Sequence, residues 1–325
     1  MKAIVCHAFG PPSELALEDL PEPASSPIGV TIAVHRAGLN FPDVLIVQGK
    51  YQTKPPFPFS PGGEVAGIVT AVGADVRSFA PGDRVLALCT YGGFAETIVV
   101  PQASTFAIPD TMSFDDAAVL GLTYGTTYHA LVDRAKIRRG ETLLITGAGG
   151  GVGISAIHVG VALGARVIAA AGSAEKLAAA TTAGAHASID YTTENLADRV
   201  NALTNGAGAD VIYDAVGGDV FDACLRCIAW EGRLLVIGFA SGRIPNIPAN
   251  RLLLKGCSAV GVFWGAFATR DPEANYRNFD RIFEMYARGE VRPVIGATYA
   301  LADAARAIVD LEARRIVGKA AIRIR

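Results

Sequence analysis

Hydrophobic and polar positions follow two different rhythms along this chain. In the first third, short apolar runs are cut by glycine and proline: Met1–Val5, Gly29–Ala37, Val65–Val72, Arg84–Leu88 and Ala95–Val100. Runs of that length between turn residues predict strands, so this part reads as a small β-rich domain. A short helix is predicted after Asn40, where Pro42 and Asp43 suit a first turn, and Pro55, Pro56, Pro58 and Pro61 then exclude regular structure. The period changes at Phe114–Val132, where apolar residues recur at helical spacing. Beyond it, strand-like runs alternate with helices: Leu143–Ile145, Val167–Ala171, Ala187–Asp190, Val211–Asp214, Leu234–Ile237 and Ser258–Gly261. That alternation predicts an α/β domain built on a doubly wound parallel sheet. The tail adds a strand signal after Pro293, an amphipathic helix Ala302–Ala313 and a strand Lys319–Ile324. The expected division is residues 1–122 completed by 291–325, and 123–290.

Within the second rhythm, Thr142–Gly172 is the most informative stretch. An apolar run leads into the cluster Gly147–Gly153, and Ile154, Ile157, His158, Val161 and Ala162 then recur at helical spacing until Gly164. Strand, glycine turn, helix and strand in this order form a dinucleotide-binding βαβ unit. Glycines leave the turn backbone free to approach a pyrophosphate, which the helix N-terminus favours through unpaired N–H groups and its dipole. The G-x-G-x-x-G spacing falls on Ala148, Gly150 and Gly153, with alanine in the first place. Gly150, Gly151 and Val152 are therefore candidate cofactor contacts.

The end of the next strand selects between cofactors. An NAD site has an acidic residue there, about twenty residues on, for the ribose 2′-hydroxyl. Here the residues are Ala169, Ala170, Ala171, Gly172 and Ser173, with Lys176 just beyond. A lysine and no carboxylate suit the 2′-phosphate of NADPH. Ser173 has a second reading as the N-cap of a helix Ala174–Ala183.

Composition narrows the picture further. A chain of 325 residues that is 51% hydrophobic has enough apolar residues to bury large cores. A net charge of −2 creates no global field for nucleic acid or anionic membrane, and the basic run Arg134, Lys136, Arg138, Arg139 falls in a loop. Scattered cysteines and no secretory signal point to the cytoplasm. Cys224 and Cys227 have redox-motif spacing but fall inside a helix predicted from near Val220. His129 sits among apolar helical residues, as a packed histidine does.

These motifs together resemble the zinc-free quinone oxidoreductases of the medium-chain dehydrogenase/reductase superfamily. The matching stretches are Ser60–Gly73, Pro81–Val85, Gly92–Glu96, Leu122–Leu131, the glycine turn, Ser173–Lys176, Asp190-Tyr191, Asp214–Gly218 and Gly238-Phe239. The resemblance implies a GroES-like first domain completed by the C-terminal segment, a Rossmann NADPH domain, and a cofactor site in the interdomain cleft. It also implies homodimers that pair edge strands of the nucleotide domains. In the zinc alcohol dehydrogenases of the superfamily, Cys stands at the position of Asn40 and His at that of Gly63. With both replaced and no four-cysteine loop, no metal site is expected. Without a Lewis acid, the implied acceptor is a quinone or similar conjugated compound, which spreads the incoming charge over its π system.

By the same resemblance, Asn40 lies near the nicotinamide and Tyr51 lines the acceptor pocket. Tyr51 has two readings, proton or hydrogen-bond donor and plain aromatic wall. A second tyrosine common in the family is replaced by Leu45. Asp43 reads as a helix-cap neighbour or a cleft residue. Thr123 is implied at the nicotinamide, or as a helix cap. Lys176, Tyr191 and Arg314 match positions around the 2′-phosphate, with Arg315 adjacent to Arg314. Gly238, Phe239 and Phe263 match loops bordering the nicotinamide, while Phe263 and Trp264 also read as dimer-edge or core residues. Two rival functions remain at this level: an enoyl- or acryloyl-type C=C reductase, and a nucleotide-sensing or RNA-binding protein without turnover.

Overall fold

The computed structural model describes all residues, Met1–Arg325, and divides the chain into two compact units. One comprises Met1–Leu122 and Pro293–Arg325, the other Thr123–Arg292.

The Thr123–Arg292 unit holds a six-stranded, wholly parallel sheet. In spatial order its strands are Ala187–Asp190, Arg166–Ala171, Thr142–Thr146, Ala209–Asp214, Ile228–Val236 and Ser258–Gly261. Strands buried on both faces read as unbroken apolar runs, which is why Leu143, Leu144, Ile145, Val167, Ile168 and Ile212 are fully buried. The chain order reverses between Thr142–Thr146 and Ala209–Asp214, the place in such sheets where ligands bind beyond the strand C-termini. The strand expected at Leu234–Ile237 begins earlier, at Ile228. Its opening is irregular, with Trp230 and Glu231 exposed and Glu231 at φ +57, and this interrupts the apolar pattern.

The other unit is mostly antiparallel. Its main sheet runs Ile295–Ala300, Lys319–Arg323, Gly29–Leu39, Glu64–Val72, Arg84–Leu88 and Thr105–Ala107, with Thr97–Pro101 also pairing Gly29–Leu39. The strand expected at Ala95–Val100 therefore starts two residues later; Ala95 makes an isolated bridge to Ala3. The last strand of the chain pairs antiparallel with Gly29–Leu39, Ala320 opposite Leu39. That register brings Lys319 to the end of the long strand, where Asn40 begins the helix Phe41–Val47.

The segment Phe114–Val132 is one helix, Phe114–Tyr128, continued by a π-helical turn His129–Arg134. No helix is long and apolar enough to cross a membrane.

Candidate active site

The glycine turn has the form its sequence implies, with the roles distributed differently. Gly147 takes φ +65, a conformation side chains disfavour. Gly150 is the N-cap of the helix Gly151–Ala162 in ordinary extended backbone. A Cβ on Gly153 would lie 2.3 Å from the Gly147 carbonyl, so only glycine permits this helix-to-turn packing. A Cβ on Gly149 would lie 2.4 Å from Cβ of Lys176. The stem of Lys176 therefore lies across the turn.

Ser173 caps the helix Ala174–Thr182, its hydroxyl accepting from the Lys176 amide. The cap places Lys176 in the first turn. Gly172, at the end of the strand Arg166–Ala171, faces the ring of Tyr191: a Cβ there would meet Cε2 at 3.2 Å. The nearby carboxylate of Asp190 accepts from the amide and hydroxyl of Thr192. Gly149, Gly150, Gly172, Ser173, Lys176 and Tyr191 thus form one patch beyond the strand C-termini. A bare turn, a lysine and no carboxylate at the end of the strand Arg166–Ala171, with Asp190 of the neighbouring strand engaged by Thr192, fit a phosphorylated dinucleotide.

The same unit holds a buried polar network that the apolar periodicity does not disclose. Ser155 Oγ has the carbonyls of Val152 (3.0 Å) and Thr123 (3.3 Å) within reach of its one proton, and bonds to Thr127 at 2.7 Å, which bonds to Tyr213. Thr123 and Val152 are thereby tied to one hydroxyl. His158, read from its spacing as part of the apolar face, instead bonds to Tyr124 at 2.8 Å. Burial pushes its imidazole down to about 4, so it is neutral. Asp214 accepts from Thr146 and from the amides of Val216 and Gly217. That carboxylate pins the loop whose Gly217 abuts the ring of Phe239. Gly238 adjoins the Ala215 carbonyl, 3.6 Å from where its Cβ would be. Of the two aromatics with open readings, Trp264 is core: it packs on Gly125 and donates to Asn275 at 3.0 Å. Phe263 is 62% exposed.

In the other unit, Asn40, Asp43, Glu64 and Lys319 form a buried cluster. Asn40 Nδ2 donates to Glu64 Oε1 at 2.8 Å. The Lys319 ammonium donates to Asn40 Oδ1 at 2.5 Å, Glu64 Oε1 at 2.8 Å and the Leu39 carbonyl at 2.7 Å. Glu64 Oε2 accepts from the Leu122 amide. Gly38 makes room for Glu64, since a Cβ there would lie 2.3 Å from its Oε1. Asp43 accepts from the amides of Asn40 and Gly62, which makes it part of the cap of the helix Phe41–Val47. Desolvation pushes its carboxyl up to about 7. Tyr51 packs against the neighbouring core, and its hydroxyl has no hydrogen-bond partner within the chain. Burial, reinforced by Asp43, raises its phenol, so it stays protonated at neutral pH. Neither Glu64 nor Lys319 carries a local signal of this role in the sequence. Glu64 stood in a motif and Lys319 in a strand, with nothing local to mark either as one half of an ion pair.

Comparison with known proteins adds a consistent assignment. Residues 26–110 match the model of the alcohol dehydrogenase GroES-like domain, and residues 151–283 that of the zinc-binding dehydrogenase domain. A quinone oxidoreductase-like protein 2 homolog from Nematostella vectensis is 44% identical over 99% of this chain and 88% of its own. The solved quinone oxidoreductase of Pseudomonas syringae is 34% identical, with a TM-score of 0.92 over 99% of each chain. The Escherichia coli quinone oxidoreductase, solved with NADPH, is 28% identical, with a TM-score of 0.92 over 100% of both.

The chain belongs to the quinone oxidoreductase family.

For a quinone oxidoreductase, the decisive departure from its zinc-dependent relatives is the donor set. Asn40 stands where those relatives carry Cys, and both polar atoms of its side chain are taken by Lys319 and Glu64. Gly63 stands where they carry His, although a Cβ there would meet nothing closer than the Cys89 carbonyl at 3.4 Å. No group of three or more His, Cys, Asp or Glu side chains converges to hold an ion. The residues present therefore do not fit a catalytic zinc, which needs three protein ligands. Cys224 and Cys227 lie in the helix Gly218–Cys227, buried and unpaired, with burial raising both thiols. His129 bonds to Asp133 and stacks on Phe267, a packing role.

Proposed function

We propose that this protein transfers hydride from NADPH to quinones or similar conjugated acceptors, without zinc. The observation that carries the reading is the bare turn Gly147–Gly153 crossed by the stem of Lys176, beside a strand end without a carboxylate. The NADPH complex of the similar Escherichia coli quinone oxidoreductase supports the cofactor. When bound, NADPH supplies a hydride, and a conjugated acceptor spreads the incoming charge over its π system.

The protein's own contribution is position and protons. Gly150, Gly151 and Val152 present backbone N–H groups at a helix start to the pyrophosphate. Ser173, Lys176 and Tyr191 receive the 2′-phosphate. The family resemblance alone adds Arg314 to this set; its neighbour Arg315 pairs with Asp310 at 2.8 Å. Thr123, Gly238, Phe239 and Phe263 border the nicotinamide, with Asn40 beside it. Tyr51 donates to the oxygen on which charge develops, and water replaces its proton after release of the hydroquinone.

We assign the protein to the cytoplasm as a homodimer. Free cysteines, mostly buried, support a reducing compartment. The edge strand Ser258–Gly261, with Trp230 (67% exposed), Leu253 (80%) and Leu254 (69%) in the adjoining elements, supports self-association through the nucleotide unit. Sedimentation of the full chain at micromolar concentration checks it; a monomer would remove the assignment.

Steady-state assays with NADPH against a quinone panel and acryloyl-type thioesters test the main proposal. Quinones are expected to have the higher kcat/KM. Preference for the thioesters would make the protein a C=C reductase, and tight NADPH binding with no turnover would make it a sensor.

A further inference from the structure

The buried cluster around Lys319 contains more than a salt bridge. The ammonium has three N–H donors and three acceptors, Leu39 O, Asn40 Oδ1 and Glu64 Oε1, within 2.5–2.8 Å. Asn40 in turn has its Oδ1 on Lys319 and its Nδ2 on Glu64. These two charged neighbours fix which way the carboxamide faces, because a flip would point an N–H at an ammonium and a carbonyl at a carboxylate. The cluster is also closed by backbone: the Leu122 amide holds Glu64 Oε2, and Gly38, lacking a Cβ, leaves room for the carboxylate. Lys319 reaches this place only because the last strand pairs with Gly29–Leu39. The groups facing it are Asn40, Glu64, the Leu39 carbonyl and, through charge, Asp43.

We propose that Lys319 is a positioning residue for hydride transfer, its ammonium locking the Asn40 carboxamide at the position where zinc-dependent relatives carry a metal ligand. The inference rests on the placement of Asn40 beside the nicotinamide made above. The ammonium satisfies Asn40 and Glu64 and leaves neither available to an ion. Its action is on geometry, and it touches neither acceptor nor cofactor.

A pure charge-balancing role and a positioning role predict different behaviour in a double variant. Lys319→Met alone strands a buried carboxylate, so both roles predict lost stability. Lys319→Met combined with Glu64→Gln removes both charges and restores thermal stability in either case. Under the positioning role the hydride-transfer rate of the double variant, read by stopped-flow absorbance of NADPH, stays at least tenfold below wild type. Lys319→Arg, which keeps a cation, recovers part of it. The NADPH Kd from fluorescence titration without acceptor changes less than threefold. The side-chain amide signals of Asn40 in 15N-asparagine-labelled protein, sharp in wild type, broaden or shift in the double variant. Recovery of the full wild-type rate by the double variant, or unchanged Asn40 amide signals, would overturn the proposal. If wild-type protein itself oxidised no NADPH with any acceptor, the functional reading would fail, and the Asn40 signals would still decide whether Lys319 orients that carboxamide.

Discussion

The side chain of Lys176 lies directly over the α-carbon of Gly149: a methyl group there would come within 2.4 Å of the lysine Cβ and 2.9 Å of its Cα. The contact joins two motifs, the glycine turn and the start of the helix Ala174–Thr182, that are separate in sequence. It brings a cationic side chain over the backbone proposed above to receive the cofactor's phosphates.

The first prediction follows from that contact. A charge-assisted hydrogen bond is worth about 1.5–3 kcal/mol, so Lys176→Ala should raise the NADPH Kd by roughly 10- to 100-fold. The NADH Kd should change less than threefold, since that cofactor has no 2′-phosphate. Fluorescence titration with both cofactors measures this, and equal losses would remove Lys176 from the phosphate site.

Asp43 makes stability pH-dependent. Its carboxyl is raised from 3.8 to about 7 by burial, so the folded state holds the proton more tightly than the unfolded chain. Its contribution is complete below pH 3.8 and is lost as pH rises through about 7. Wild-type Tm should therefore fall between pH 5 and pH 8 more steeply than that of Asp43→Asn. The variant forfeits part of the cap, about 1 kcal/mol at low pH. Parallel curves across that range would show that Asp43 is already ionised in the folded protein at pH 5.

Tyr51 carries a hydroxyl with no partner in the chain and a phenol held protonated by burial. Tyr51→Phe should leave stability within about 0.5 kcal/mol of wild type, because no internal bond is lost. If the hydroxyl donates to the developing oxyanion, kcat falls about tenfold, the loss of one hydrogen bond near 1.4 kcal/mol. Unchanged kcat across a quinone series would reduce Tyr51 to a pocket wall.

The thiols should be quiet. Cys6, Cys224, Cys227 and Cys257 are buried, and burial raises each of them; Cys89 is only partly covered, yet desolvation with Asp43 and Glu64 nearby raises it too. A disulfide reagent should modify fewer than one thiol per native chain within minutes, and all five after unfolding. Rapid modification of a pair would reopen a redox role for Cys224 and Cys227. Dialysis against a chelator should leave turnover unchanged, as the donor set requires.

Much of this molecule was legible residue by residue. The strands Arg84–Leu88, Ala187–Asp190 and Ser258–Gly261 lie where the alternation puts them. The last strand pairs with Gly29–Leu39, a contact that no local signal in either segment specifies. Local signals failed where geometry was irregular, as at Glu231, or where polar side chains sat on an apolar helix face, as at His158 and Ser155. A side chain's periodicity reports burial and says nothing of the partner it finds there.

The sequence by itself determined the βαβ unit and the missing acid at its second strand. These depend on residue type and short spacing, which backbone sterics and helix ends translate directly into structure. Only the tertiary structure decided that Lys319 meets Asn40 across 279 positions, and that Lys176 rather than open solvent covers Gly149. Burying a charge far from water compels it to find an opposite charge wherever the fold brings one, and sheet register, not local propensity, chooses which.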